Sequence, residues 1–165
     1  MLKKACPPIK KEEAITEYLI RMNNQNALEI IENTQIGDDV FCVLELFDEA
    51  ILVETPKTNM GHALYKTMSG EIRSCQVGHL IRISKGNFMA EYFAKSEGKR
   101  IREYSDSELR CLGIKRMALQ AGFRVEIQET KTDAGSGHLI KVFGDNQREV
   151  DDFMTLCVYN SLILY

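Results

Sequence analysis

HALYKTMSGEIRSCQVGHLIRISK, residues 62–85, carries the pattern that decides the fold. Polar and apolar side chains alternate along three short runs, and Ser69-Gly70 and Val77-Gly78 interrupt them. Alternation with period two and glycine-bearing breaks predicts antiparallel strands joined by tight hairpins. If both breaks are two-residue loops, Lys66 pairs with Arg73 and Arg73 with Arg82, while His62 lies opposite Val77 and His79 opposite Gln76.

The same reading extends in both directions. Strands are expected over 40–47, 50–55, 62–68, 71–77, 79–85 and 88–95, with turn-forming residues between them, which argues an antiparallel meander. Before it, Ile15, Tyr18, Leu19, Met22, Leu28, Ile30 and Ile31 have helical spacing over 11–33. The run Asn23-Asn24-Gln25-Asn26 interrupts that pattern, so one bent helix and two short ones with Asn26 as a cap both fit. After it, Lys95 to Tyr104 is a charged connector. Ser105 or Ser107 then caps a helix that reaches about 120 and stops at Gly122. Phe123 to Gln128 and His138 to Phe143 read as strands around a glycine-rich loop over Lys131 to Gly137. Gly144-Asp145 opens a terminal helix with an apolar face of Val150, Phe153, Met154, Cys157 and Leu162. The expected class is α+β: an N-terminal helix, a mainly antiparallel multi-stranded meander, then a helix, a β-hairpin and a C-terminal helix.

The 165 residues match one ordinary domain, expected over 1–165 with 1–10 as a flexible leader broken by Pro7-Pro8. Hydrophobic residues at 44% and charged residues at 27% place the chain among globular proteins. No apolar run reaches the roughly 20 residues of a membrane helix, and no signal-peptide core follows Lys3, Lys4, Lys10 and Lys11, so no membrane partner and a cytoplasmic location are expected. The five cysteines, Cys6, Cys42, Cys75, Cys111 and Cys157, are scattered without a Cys-x-x-Cys pair. All but Cys6 have apolar or strand-like neighbours and read as small buried hydrophobes in a reducing compartment.

Each histidine follows a glycine and precedes two apolar residues: His62, His79 and His138. The two-residue register puts His62 and His79 on opposite faces and about 10 Å apart, too far to share a metal bound at about 2 Å. Neither a metal site, a cofactor nor a catalytic set is expected. The 133–138 loop is the one place where an enzyme could be centred, on His138 with Asp133 and Ser136, but an orienting carboxylate and oxyanion donors are not visible there.

Charge is more informative. The net charge is −6 over residues 1–56, +6 over 57–116 and −3 over 117–165. The expected register aligns Lys66, Arg73 and Arg82, and Glu91 on a fourth strand if Gly86-Asn87 is also a two-residue loop, with Tyr65, Ile72, Ile81, Ile83, Ala90 and Tyr92 on the other face. Solvent and diagonal ion pairs with Glu71 and Glu91 would account for such a row. An anionic partner would account for it too, on a platform extended by Lys95, Lys99, Arg100 and Arg102. Of the aromatic residues only Phe93 could share the face of these cations, a weak signal for base stacking, which favours a protein partner over nucleic acid. The leading expectation is a non-catalytic binding or adaptor protein that docks a macromolecular partner on this face. Nucleic-acid binding by the same surface is the alternative, and the strand edge at 88–95 would also serve a homodimer.

Overall fold

The computed structural model describes residues 10, 12–133 and 135–159. The leader residues Lys3, Lys4, Cys6 and Lys11, together with Leu162, lie outside the described residues. The class is α+β, with an N-terminal helix, antiparallel sheets, a second helix, a hairpin and a C-terminal helix. The contacts divide the chain into two compact units, one through Ile83 with 120–122 added, the other comprising Ser84–Leu119 and the residues from Phe123 onward. Among the described residues no helix is long and apolar enough to cross a membrane.

The first unit opens with helix α1 (Ile15–Asn33), continuous through the amide-rich stretch that the sequence pattern left ambiguous. Strands β1 (Asp39–Cys42), β2 (Ala50–Glu54), β3 (His62–Lys66), β4 (Ile72–Gln76) and β5 (Leu80–Arg82) follow. The meander holds from β1 to β4. A 3-10 turn, Val77–His79, then replaces the expected hairpin at Val77-Gly78, and β5 pairs with β1 instead of β4. The strand order is therefore β4-β3-β2-β1-β5.

The β3–β4 register corrects the two-residue loop expected at Ser69-Gly70. Thr67 N donates to Glu71 O at 2.8 Å and Gly70 N to Thr67 O at 2.9 Å, enclosing a loop of Met68, Ser69 and Gly70. Gly70, at φ +89°, supplies the left-handed residue that such a loop requires. One added loop residue shifts the pairing by one, so Lys66 lies opposite Ile72 and Tyr65 opposite Arg73. Because side chains alternate, that shift moves Lys66 and Arg73 onto opposite faces. Tyr65 shares its face with Arg73, and Ile72 is turned outward and exposed. His62 accordingly meets Gln76, and His79 belongs to the 3-10 turn.

One face of this sheet is the core. Val40, Cys42, Ala50, Leu52, Ala63, Tyr65, Cys75 and Leu80 form a single buried cluster with Ala27 and Ile30 of α1. The sheet also curls. Glu45, just beyond β1, accepts hydrogen bonds from Tyr65 on β3 and Arg73 on β4. In a flat sheet β1 and β4 would lie about 14 Å apart.

The second unit holds β6 (Phe88–Lys95), the short pair β7 (Arg100–Ile101) and β8 (Tyr104–Ser105), α2 (Asp106–Gln120), β9 (Arg124–Thr132), β10 (Gly135–Gly144) and α3 (Gln147–Met154). A π turn, Thr155–Tyr159, follows α3. Strand β6 leaves the expected meander and pairs with β10, giving the order β6-β10-β9. The loop expected over Lys131 to Gly137 is mostly ladder, since Ser136 pairs with Lys131 and Gly135 with Thr132. Ile140, Val142 and Ala94 are buried, and α3 packs on β6 and β10. Ser105 caps α2 by accepting from Glu108 N at 3.2 Å, and Gly122 at φ +85° ends it, as the sequence indicated.

Candidate functional site

The seven cations expected to make one platform divide between the two units. Lys66 projects from the outer face of β3 and is exposed. Arg73 lies on the inner side at the rim of β4. Its Nη1 donates to Glu45 Oε1 at 2.6 Å and its Nη2 to Glu71 Oε2 at 2.9 Å, while Tyr65 Oη donates to the same Glu45 oxygen at 2.9 Å. The charge of Arg73 thus meets two carboxylates, and its guanidinium in turn draws the Glu71 carboxyl below its usual range. Arg82 closes β5 opposite Val40, not opposite Arg73, and its Nη1 stands 3.9 Å from Glu29 Oε1 on α1. Arg73 and Arg82 therefore occupy strands at the two ends of the sheet, which corrects the aligned row. Glu91, the fourth member expected in that row, pairs with Lys141 in the other sheet.

The remaining cations share a compact stretch of the second unit. Lys95 ends β6, Lys99 precedes β7, Arg100 lies on β7 and Arg102 sits in the two-residue turn between β7 and β8. All four side chains are exposed. The base of this arm is tied down by Asp106. Its carboxylate accepts from Glu97 N at 2.9 Å and from Ser96 Oγ at 3.2 Å, and its own N–H donates to Lys99 O at 2.9 Å. The hydrogen bond from Glu97 N is the main reason that the Asp106 carboxyl lies below its ordinary range, with the Ser96 hydroxyl adding to it against a burial penalty. Arg100 Nη2 donates to Glu103 O at 2.6 Å across the turn. Lys99 and Glu97 are 3.8 Å apart, and both are largely in water, so this pair is worth little.

Arg102 has φ +59°, a left-handed backbone that an L-residue with a Cβ adopts at a cost of roughly 1–2 kcal/mol. Glycine or asparagine would meet the same turn at lower cost. A cation is thus held at the outermost position of the arm against local preference.

The histidines do not come together. His62 is exposed on β3, His79 lies in the 3-10 turn with Nδ1 buried and unpartnered, and His138 faces α2. Among the described residues no group of three His, Cys, Asp or Glu side chains could hold a metal ion. Around the 133–138 segment, Asp133 and Ser136 are exposed, whereas His138 Nδ1 lies 2.7 Å from Ser107 Oγ and Glu129 sits opposite it across the ladder. Ser107 is 1% exposed, so the Ser107–His138 contact pins α2 to β10 and presents no nucleophile to solvent.

Two residues escaped the sequence reading. Ser107 was only a candidate cap, a role that Ser105 fills. Glu45 fell inside a segment expected to be strand, and nothing local signals its link to β3 and β4, because the link depends on how far the sheet curls. No protein-family model matches the chain, and no curated protein is detectably similar to it.

Proposed function

We propose that the chain is a non-catalytic binding or adaptor protein that docks a macromolecular partner, a protein rather than nucleic acid, through the cationic arm at 95–104. One observation carries this reading: Lys95, Lys99, Arg100 and Arg102 are exposed together on a short arm whose base is fixed by Asp106 and whose turn holds Arg102 in a costly conformation. Local strain of this kind persists where the surrounding structure imposes it, and it clusters at functional positions. Glu97 and Glu103 interleave with the cations, and Ile101 is 48% exposed among them. A mixed-charge arm with an apolar side chain complements an acidic protein surface better than a continuous phosphate backbone, which would meet both carboxylates. Lys66, Arg73 and Arg82 stand as secondary partner contacts, the last two weakened by the carboxylates already facing them.

The test is affinity purification with the full chain against the triple variant Lys99→Glu/Arg100→Glu/Arg102→Glu, each with and without nuclease. Capture of a protein that resists nuclease and falls at least about tenfold in the variant is the expected result. Equal capture by both chains overturns the role of the arm. Capture that nuclease abolishes and added salt weakens steeply assigns the same cations to nucleic acid instead.

A further inference from the structure

The five-stranded and three-stranded sheets each end in two edge strands, and an edge strand is a template for pairing unless something closes it. Strand β5 is three residues long with α1 packed on it, and β4 is five residues long. The β6 edge, expected to serve a homodimer, is partly capped. Ser96 N donates to Ser136 O at 2.9 Å, which fixes the alternation: even-numbered residues of β6 bond to β10 and odd-numbered ones face outward. On that outward side Gln147 Nε2 takes the Met89 carbonyl at 2.7 Å.

Strand β9, with nine residues, is the longest of these edges, and among the described residues no strand lies beyond it. The even residues of β10 are committed to β6, so its odd residues bond to β9, Gly137 to Thr130 and Leu139 to Gln128. The N–H and C=O groups of Val125, Ile127, Glu129 and Lys131 are thereby turned to the open edge. None of the nine residues of β9 is buried. Cover thins toward this edge: Ile140 and Val142 are fully buried, whereas Ile127 and Val125, opposite them on β9, are only half-buried.

We propose that β9 pairs antiparallel with β9 of a second copy about a two-fold axis at Gln128, joining the two three-stranded sheets into one of six strands. In this register Val125 faces the second copy's Lys131 and Ile127 its Glu129, and the reverse. All four outward-facing residues of each strand then exchange two hydrogen bonds with their opposites. The aliphatic stem of Lys131 lies over the half-buried Val125. Charge selects the same register. Arg124 meets Thr132, Glu126 meets Thr130 and Gln128 meets its own copy, so no like charges stand opposite one another. An axis at Glu126 or Glu129 would set that carboxylate against itself, and an axis at Ile127 would leave Lys131 beyond the end of the second strand. Such a match of the strand to itself is what points to a second copy as the occupant. The pairing uses none of the residues of the arm at 95–104, so it and the docking proposal stand or fall separately.

Sedimentation of the full chain, followed up to about 1 mM, tests the pairing. The expected result is a monomer that gives way to a dimer as concentration rises. Glu129→Pro removes an N–H that β10 does not use, and should weaken the dimer at least about tenfold with an unchanged far-ultraviolet spectrum. Gln128→Cys reads the register without proline. The pair at 128 is not hydrogen-bonded, which brings its Cα atoms to about 4.5 Å, so mild oxidation should join position 128 of two chains by a disulfide. Glu126→Cys, whose opposite is Thr130, should not link to its own copy. A wild-type chain that stays monomeric overturns the proposal, as does a dimer that forms equally well in Glu129→Pro, or cross-linking through position 126 as efficient as through 128. If the proline variant does not fold, the wild-type sedimentation and the two cysteine variants decide.

Discussion

Helices α1 and α3 solve the same problem, seating a helix where a glycine lets two backbones approach, by opposite chemistry. In the first unit α1 packs over the 3-10 turn and β5. A Cβ on Gly78 would fall 1.6 Å from Asn23 Oδ1 and 2.6 Å from the Asn23 main-chain oxygen. Asn23 Oδ1 is buried without a hydrogen-bond partner, and Asn26 Nδ2 donates to Gly78 O at a long 3.4 Å. In the second unit α3 rests on apolar groups. A Cβ on Gly144 would meet Val150 Cγ1 at 2.8 Å and the Phe123 ring at 2.9 Å, and Phe153 packs edge-on to Phe123 at 5.2 Å. The lesson is that α1, besides burying Ala27 and Ile30, meets main chain and an amide at its glycine, whereas α3 meets only apolar side chains at its own.

The largest effect expected from breaking this contrast is at Gly78. Gly78→Ala should destabilise the first unit by about 3 kcal/mol, since the new methyl meets main chain as well as an amide. Denaturant titration measures it. Adding Asn23→Ala removes the Oδ1 clash and a buried unsatisfied acceptor, but leaves the main-chain oxygen in place. Partial recovery of about 1 kcal/mol is therefore expected. Full recovery by the double variant would mean that the side chain alone sets the spacing.

Gly144→Ala should cost less, about 1–2 kcal/mol, because the atoms it would meet, at 2.8–3.0 Å, belong to side chains and not to main chain. The same titration, read on the second unit, sharpens the comparison. A loss equal to that of Gly78→Ala would show the apolar seat to be as rigid as the amide one.

The two helices also show what the sequence could disclose. The seat of α3 was legible because its determinants are local: Val150, Phe153 and Met154 recur at helical spacing, and all are buried. The seat of α1 was not, since Asn23 and Asn26 look like a break until the distant Gly78 is known to lie beneath them. The sheets follow the same division. Strand positions came from alternation, but one residue in the loop ending at Gly70 decided whether Lys66 and Arg73 share a face. The return of β5 to β1 was hidden because both of its strands are short and a hairpin fitted the local pattern equally well. Of the candidate site, the exposed arm at 95–104 was readable as a charged connector. The pairing of Arg73 with Glu45 depends on sheet curvature, which no local pattern encodes.

The smallest expected effects separate a cap from a seat. Asn146 Oδ1 accepts from Glu149 N at 3.2 Å and satisfies a first-turn donor of α3 that has no partner within the helix. Asn146→Ala should cost the second unit about 1 kcal/mol. Asn26 lies inside α1, where alanine is the better helix former, and its bond to Gly78 O is long. Asn26→Ala should therefore change stability by less than about 0.5 kcal/mol, the lost hydrogen bond being offset by helix propensity. α1 begins at Ala14 without a side-chain cap, its approach held instead by Glu13, which accepts two hydrogen bonds from Arg21 at 2.9 and 3.0 Å. If Asn26→Ala proved as costly as Asn146→Ala, the amide row would have to bind α1 to the turn by hydrogen bonding, and close backbone approach at Gly78 would no longer suffice to explain its position.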